Sequence, residues 1–107
     1  LWYRDSLNTV YINNPNIFLP KSFTLYQNFP NPFNFTTRIE YQISKPGLVT
    51  IKIYDINGRE IETLVNEVKR AGYYTIQFNA SHLSSGIYFY RITAGDFVRT
   101  KKMVLIK

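Results

Sequence analysis

Turn signals punctuate the second half of this chain every 10 to 14 residues, a spacing that leaves room for strands and almost none for long helices. They are Lys45-Pro46-Gly47, Ile56-Asn57-Gly58, Arg70-Ala71-Gly72, Ser84-Ser85-Gly86 and Ala94-Gly95-Asp96. Each supplies a residue that tolerates positive φ. Between them Thr37, Ile39, Tyr41 and Ile43 alternate with Arg38, Glu40 and Gln42, the period of two expected of a strand with one buried and one wet face. Val49, Ile51 and Ile53 repeat the pattern, as do Tyr74, Ile76 and Phe78. Nowhere do apolar residues hold the i, i+3, i+4, i+7 spacing over three turns, and residues 63–70 have room for one helical turn at most.

Asn57-Gly58 suits a two-residue hairpin turn in which both positions take positive φ, which predicts a hairpin between 49–54 and 59–65. Residues 86–93 and 97–106 flank Gly95-Asp96 and form a second hairpin. Both of its faces are aromatic or β-branched, so periodicity leaves its inward face open. About seven strands without helix predict an all-β fold, an antiparallel immunoglobulin-like β-sandwich, with a small closed barrel as the competing architecture.

A chain of 107 residues with 45% hydrophobic content is one domain with a real core. Residues 1–22 differ from the rest: Asn13-Asn14-Pro15-Asn16 and Pro20-Lys21-Ser22 interrupt any pattern. They read as a linker from an upstream cargo domain, with the compact domain spanning 23–107. The start at Leu1, without a leader-like pattern, suggests a piece of a longer polypeptide. The longest apolar run is four residues, far short of the about 20 a membrane helix needs, so no transmembrane segment is expected.

The residues offer little for catalysis. With no cysteine there is no thiol nucleophile or sulfur metal site. The one histidine, His82, has no carboxylate within four positions and reads as an exposed loop residue. Glu60 and Glu62 share one strand parity and imitate a carboxylate pair, but that parity is the wet face opposite Ile61. Asp55 and Asn57 before Gly58 resemble the opening of a calcium loop whose later ligands are missing. No catalytic, metal or cofactor site is predicted, and the domain itself is expected not to be an enzyme.

Binding is the stronger possibility. The chain has 13 Lys and Arg against 7 Asp and Glu, and from residue 91 onward Arg91, Arg99, Lys101, Lys102 and Lys107 face one acid, Asp96. Nucleic acid is not expected as a partner, because the aromatics fall mainly on apolar strand parity and the basic residues are otherwise scattered. An exposed row of Tyr73, Tyr88 and Tyr90 would instead hold a sugar ring, which makes a polysaccharide-binding accessory domain the alternative reading. The sequons at Asn34 and Asn79 carry no assigned role.

One stretch is more specific than these. Leu25-Tyr26-Gln27-Asn28-Phe29-Pro30-Asn31-Pro32-Phe33-Asn34, followed by Thr37-Arg38-Ile39-Glu40-Tyr41, resembles the opening signature of the C-terminal sorting domains that direct cargo through the type IX secretion system of Bacteroidetes-type bacteria. Val49 onward (VTIKIYDINGR), Leu83-Ser84-Ser85-Gly86-Ile87-Tyr88-Phe89-Tyr90-Arg91 and Lys101-Lys102-Met103-Val104-Leu105 are similar to that family's type A pattern in order and spacing. The resemblance implies a sandwich domain that acts as a secretion signal. Its partners would be an outer-membrane translocon, a sortase, and a cargo domain upstream in the same chain. The route would run through the periplasm to the cell surface or the extracellular space.

The recognition elements the resemblance implies fall on Pro30, Asn31, Pro32, Gly86, Tyr88, Lys101, Lys102 and Lys107. Where the pattern often has proline, this chain has Phe35. Another rival is a structural immunoglobulin-like domain of the flagellar hook-cap type, which shares Tyr54-Asp55-x-x-Gly58 but not the Pro-Asn-Pro-Phe opening. Pro30 and Pro32 hold their segment extended, as a corner. Lys101 and Lys102 read as gatekeepers of an edge strand to which a receptor would add a strand. On that mechanism, deleting residues 101–107 strands cargo in the periplasm with its own domain folded.

Overall fold

The computed structural model describes residues 19–107; of the linker expected over 1–22, residues 1–18 lie outside the described residues. Seven strands follow in order: β1 (Thr24–Leu25), β2 (Thr36–Ile43), β3 (Gly47–Tyr54), β4 (Glu60–Lys69), β5 (Gly72–Asn79), β6 (Gly86–Ala94) and β7 (Phe97–Leu105). They form two antiparallel sheets, one ordered β1-β2-β5 and the other β4-β3-β6-β7. The fold is the immunoglobulin-like sandwich predicted, with two separate sheets instead of a closed barrel.

Alternation produces the core directly. In β2 the residues Thr37, Ile39, Tyr41 and Ile43 are buried while Arg38 and Glu40 are exposed. Facing them across the sandwich, Val49, Ile51 and Ile53 of β3 join Tyr90 and Ile92 of β6 and Met103 and Leu105 of β7, all nearly inaccessible to solvent. Truncating one such aliphatic side chain to alanine costs about 2–5 kcal/mol, because its neighbours close only partly over the void. The face of the second hairpin is thereby settled: Tyr88, Tyr90, Ile92 and Ala94 point inward on β6, Met103 and Leu105 on β7. Phe23 stacks on Phe97 with ring centroids 5.4 Å apart, and Gln42 Nε2 donates to the Ser22 carbonyl at 3.1 Å. These two contacts fasten the start of the described chain to the sandwich.

Two local expectations are corrected. The β3–β4 connection is not a two-residue turn, because among the described residues Phe35 is the one non-glycine with positive φ, and Asn57 is therefore not in that region. Instead Gly58 N–H donates to the Asp55 carbonyl, and Asp55 N–H donates to the Arg59 carbonyl, both at 2.9 Å. Gly58 alone takes the left-handed conformation, φ 84°. This is the three-residue loop that closes with a glycine bulge. Asp55 locks it: Oδ1 accepts from Asn57 N–H and Arg59 N–H at 2.9 Å each. Those bonds, the one from Arg59 N–H first, hold its carboxyl below the usual carboxylate range.

Residues 63–70 hold no helical turn, since β4 runs through to Lys69. Its alternation is broken by two register shifts against β3, which leave Leu64 and Ile61 as extra residues. Glu60 therefore opposes Tyr54 while Glu62 opposes Ile53. The pair expected on one face divides: Glu60 goes to Lys52 at 3.3 Å, and Glu62 to His82 at 3.5 Å. His82 is exposed in its loop, as its sequence context suggested, but its carboxylate neighbour comes from 20 positions away (82 − 62).

Candidate functional site

The segment from Gln27 to Phe33 lies along the outer edge of β7. Both of its X–Pro bonds, Phe29–Pro30 and Asn31–Pro32, are cis. Its start is pinned to β2, where Phe29 and Arg38 exchange two backbone hydrogen bonds at 2.9 Å and the Arg38 guanidinium lies 5.4 Å from the centre of the Phe29 ring. Its end is pinned to the other sheet: Phe33 N–H donates to the Val104 carbonyl, and Ile106 N–H donates to the Phe33 carbonyl, each at 2.9 Å. Phe33 is buried and tilts against Phe78 at 6.4 Å. The corner thus bridges the open side of the sandwich from one sheet to the other.

A polar knot holds the corner in shape. Asn28, only 2% exposed, donates through Nδ2 to Thr37 Oγ1 at 3.0 Å and to the Pro30 carbonyl at 3.1 Å. Thr37 Oγ1 donates to the same carbonyl at 2.8 Å. From the opposite sheet the Tyr90 hydroxyl donates to the Tyr26 carbonyl and accepts from Asn28 N–H, both at 2.7 Å. Burial around that hydroxyl pushes the Tyr90 phenol up to about 12. Every buried polar group in this list finds a partner, as a low-dielectric interior requires.

The predicted recognition residues come together here. Asn31 Oδ1 accepts from Val104 N–H at 3.0 Å, and Gln27 Nε2 donates to the Lys102 carbonyl at 2.7 Å. Gly86 pairs with Leu105, which bridges to Phe33 on its other side. Lys107 closes the group: its N–H donates to Ser85 Oγ at 3.0 Å and its Nζ to the Ser81 carbonyl at 2.6 Å. Pro30, Asn31 and Pro32 are exposed, as are Lys102 and Lys107. Lys101 is half-buried on the parity of Met103, so the two adjacent lysines project to opposite faces of β7.

Tyr88 and Tyr90 do not form the aromatic row considered for sugar. They are 8% and 0% exposed and face the core, whereas Tyr73, 63% exposed, belongs to the other sheet. The Tyr88 hydroxyl is engaged with the Ser84 carbonyl at 2.7 Å. Strand addition at the lysine-bearing end of β7 is also excluded, because the corner already occupies the Lys102 carbonyl, both backbone groups of Val104 and the Ile106 N–H. Sequence reasoning missed Gln27, Asn28, Thr37 and the Tyr90 hydroxyl, which organise the site. A buried asparagine carries no periodic signal, and its partners lie up to 62 positions away.

A family model described as the secretion system C-terminal sorting domain matches residues 27–107. The chain belongs to that family, and it carries a sorting signal for type IX secretion. Among solved structures, the crystal structure of dimeric latent PorU from Porphyromonas gingivalis is similar with a TM-score of 0.58 and 18% identity, over 75% of this chain and 9% of that one. That likeness supports the sandwich fold alone. The chain therefore spans a small part of the length of that structure. No curated protein matches.

Proposed function

We propose that the capped edge of β7 is the surface by which the type IX machinery recognises this domain, in the manner of the family's type A pattern. The observation that carries the reading is convergence. Pro30, Asn31 and Pro32, the Gly86 start of β6, Lys102 and Lys107 are scattered over nearly eighty positions, yet they line one contiguous strip through the bonds of Asn31, Phe33 and Lys107. A strip whose backbone groups are already satisfied cannot bind by strand addition. Recognition then rests on side chains and shape, with exposed Phe29 as the apolar anchor and Lys102 and Lys107 orienting an acidic partner.

In this reading the domain is a non-catalytic passenger signal. The residues before position 23 lead to cargo, the outer-membrane translocon grips the strip, and a sortase acts on cargo already exported through the periplasm. The destination is the cell surface or the extracellular space. The test is a triple variant, Phe29→Ser, Lys102→Glu and Lys107→Glu, in a cargo fusion expressed in a host with the matching apparatus. Its melting temperature should stay within a few degrees of wild type, since all three side chains are exposed, while export falls at least tenfold. Undiminished export of the folded triple variant would remove the strip from recognition.

A further inference from the structure

Four strands lie at sheet edges: β1, β5, β4 and β7. Three are blunted in the ways natural sheets use against unwanted pairing. Strand β1 has two residues. Strand β4 is kinked by two register shifts and carries Glu60, Glu62, Glu67 and Lys69. Strand β7 carries Arg99, Lys101 and Lys102, and the proline corner covers its C-terminal half.

Strand β5 has none of these protections. Its eight residues, Gly72 to Asn79, include no charge and no proline and keep unbroken register with β2. Its outward backbone groups can be identified. Arg38 turns its N–H and carbonyl to Phe29, and Glu40 turns its carbonyl to Tyr26, on the side away from β5. The even-numbered residues of β2 therefore bond away from β5, and their partners Gln77, Thr75 and Tyr73 turn their own N–H and carbonyl groups off the free edge. Among the described residues no hydrogen bond uses those six groups.

We propose that this edge pairs with the β5 of a second copy of the chain, antiparallel about a two-fold axis at Thr75. The sequence of β5 is complementary to itself in that register. Thr75 faces Thr75 and Tyr73 faces Gln77, so the three residues with free groups on each copy exchange six hydrogen bonds in all. On the inner face half-buried Tyr74 meets half-buried Ile76, and aromatic to β-branched pairs of this kind are favourable. No charged side chain meets another, although each chain carries a net charge of +6. Asn79 stays outside the pairing, because its Oδ1 accepts from Ser81 N–H at 2.9 Å where the chain turns away. The product is a continuous six-stranded sheet, β1-β2-β5-β5-β2-β1, with the sorting strip left uncovered on both copies.

A single strand pair covers less than the roughly 1,200 Å² of a standard interface, so the dimer is weak and dependent on concentration. Sedimentation equilibrium of the 107-residue chain, with concentration raised toward about 500 µM, should show the mass climbing from 12.6 kDa toward twice that value. Thr75→Lys and Thr75→Glu, at an exposed position, should each remain monomeric with unchanged circular dichroism, and an equimolar mixture of the two should recover the dimer. A wild-type chain that stays monomeric throughout, or single variants that dimerise as well as wild type, would overturn the proposal. Export plays no part in these readouts, so their failure leaves the sorting reading where it stands.

Discussion

Phe35 sits at φ 54°, a conformation that costs an L-residue roughly 1–2 kcal/mol. Its carbonyl accepts from Ala80 N–H at 2.6 Å, which holds the corner's exit against the end of β5, and its ring is 47% exposed. Phe35→Gly should therefore stabilise the domain by about 0.5–1 kcal/mol, the relief of strain exceeding the added entropy of the unfolded glycine. Phe35→Pro should destabilise it, since proline is locked near −65°. Denaturant midpoints of the two variants check both signs. The departure from the family's proline at this position is thus a different backbone path and not merely a looser turn. Tyr90 supplies the complementary case. Its folded phenol is raised to about 12 against an ordinary 10.0, so the folded state keeps a proton that the unfolded state releases. Its contribution is full below pH 10 and is lost as pH rises toward 12. Tyr90→Phe should cost about 1–3 kcal/mol at pH 7 by orphaning the Asn28 N–H and the Tyr26 carbonyl. Its stability should also fall less between pH 10 and 12 than that of wild type, as urea titrations at the two pH values would show.

Strands β2 and β3 were legible in the sequence because one face of each is buried and the other wet, so the side-chain period exposes the inward set. The same rule could not orient β6, where Phe89 and Thr93 on the outer parity are only half-exposed, and it misjudged β4, where Ile61 and Leu64 are inserted and the period slips twice. The two hairpin turns show the same contrast. Gly95, at φ 60°, makes the two-residue turn expected between Ala94 and Phe97, whereas at Asn57-Gly58 the Asp55 carboxylate captures the backbone first. The proline corner was visible as a motif, but its destination was not, because Asn31 meets Val104 across 73 positions with no local signal. Asn31→Ala should remove the acceptor from Val104 N–H and lower amide protection there roughly fivefold, equivalent to about 1 kcal/mol, while Asn31→Asp should preserve it. Hydrogen exchange resolved at Val104 distinguishes the two.

For the molecule as a whole, sandwich and signal are not separable parts, because the recognition strip is built on the strand that completes the core. Deleting residues 101–107 would remove Met103 and Leu105, which are 0% and 1% exposed, together with the bonds that hold Phe33. The expected result of that truncation is an unfolded domain, and loss of export would follow without any loss of a specific contact. Surface charge reversal on an intact fold is the sharper probe, and the family membership shown over residues 27–107 makes export the function to measure. The most direct measurement places a folded reporter ahead of residue 23, expresses the fusion with a secretory leader in a host possessing the type IX apparatus, and quantifies reporter outside the cell. The reporter should reach the exterior with residues 23–107 attached and remain in the periplasm without them; equal retention in both cases would contradict the assignment of this sandwich as a sorting signal.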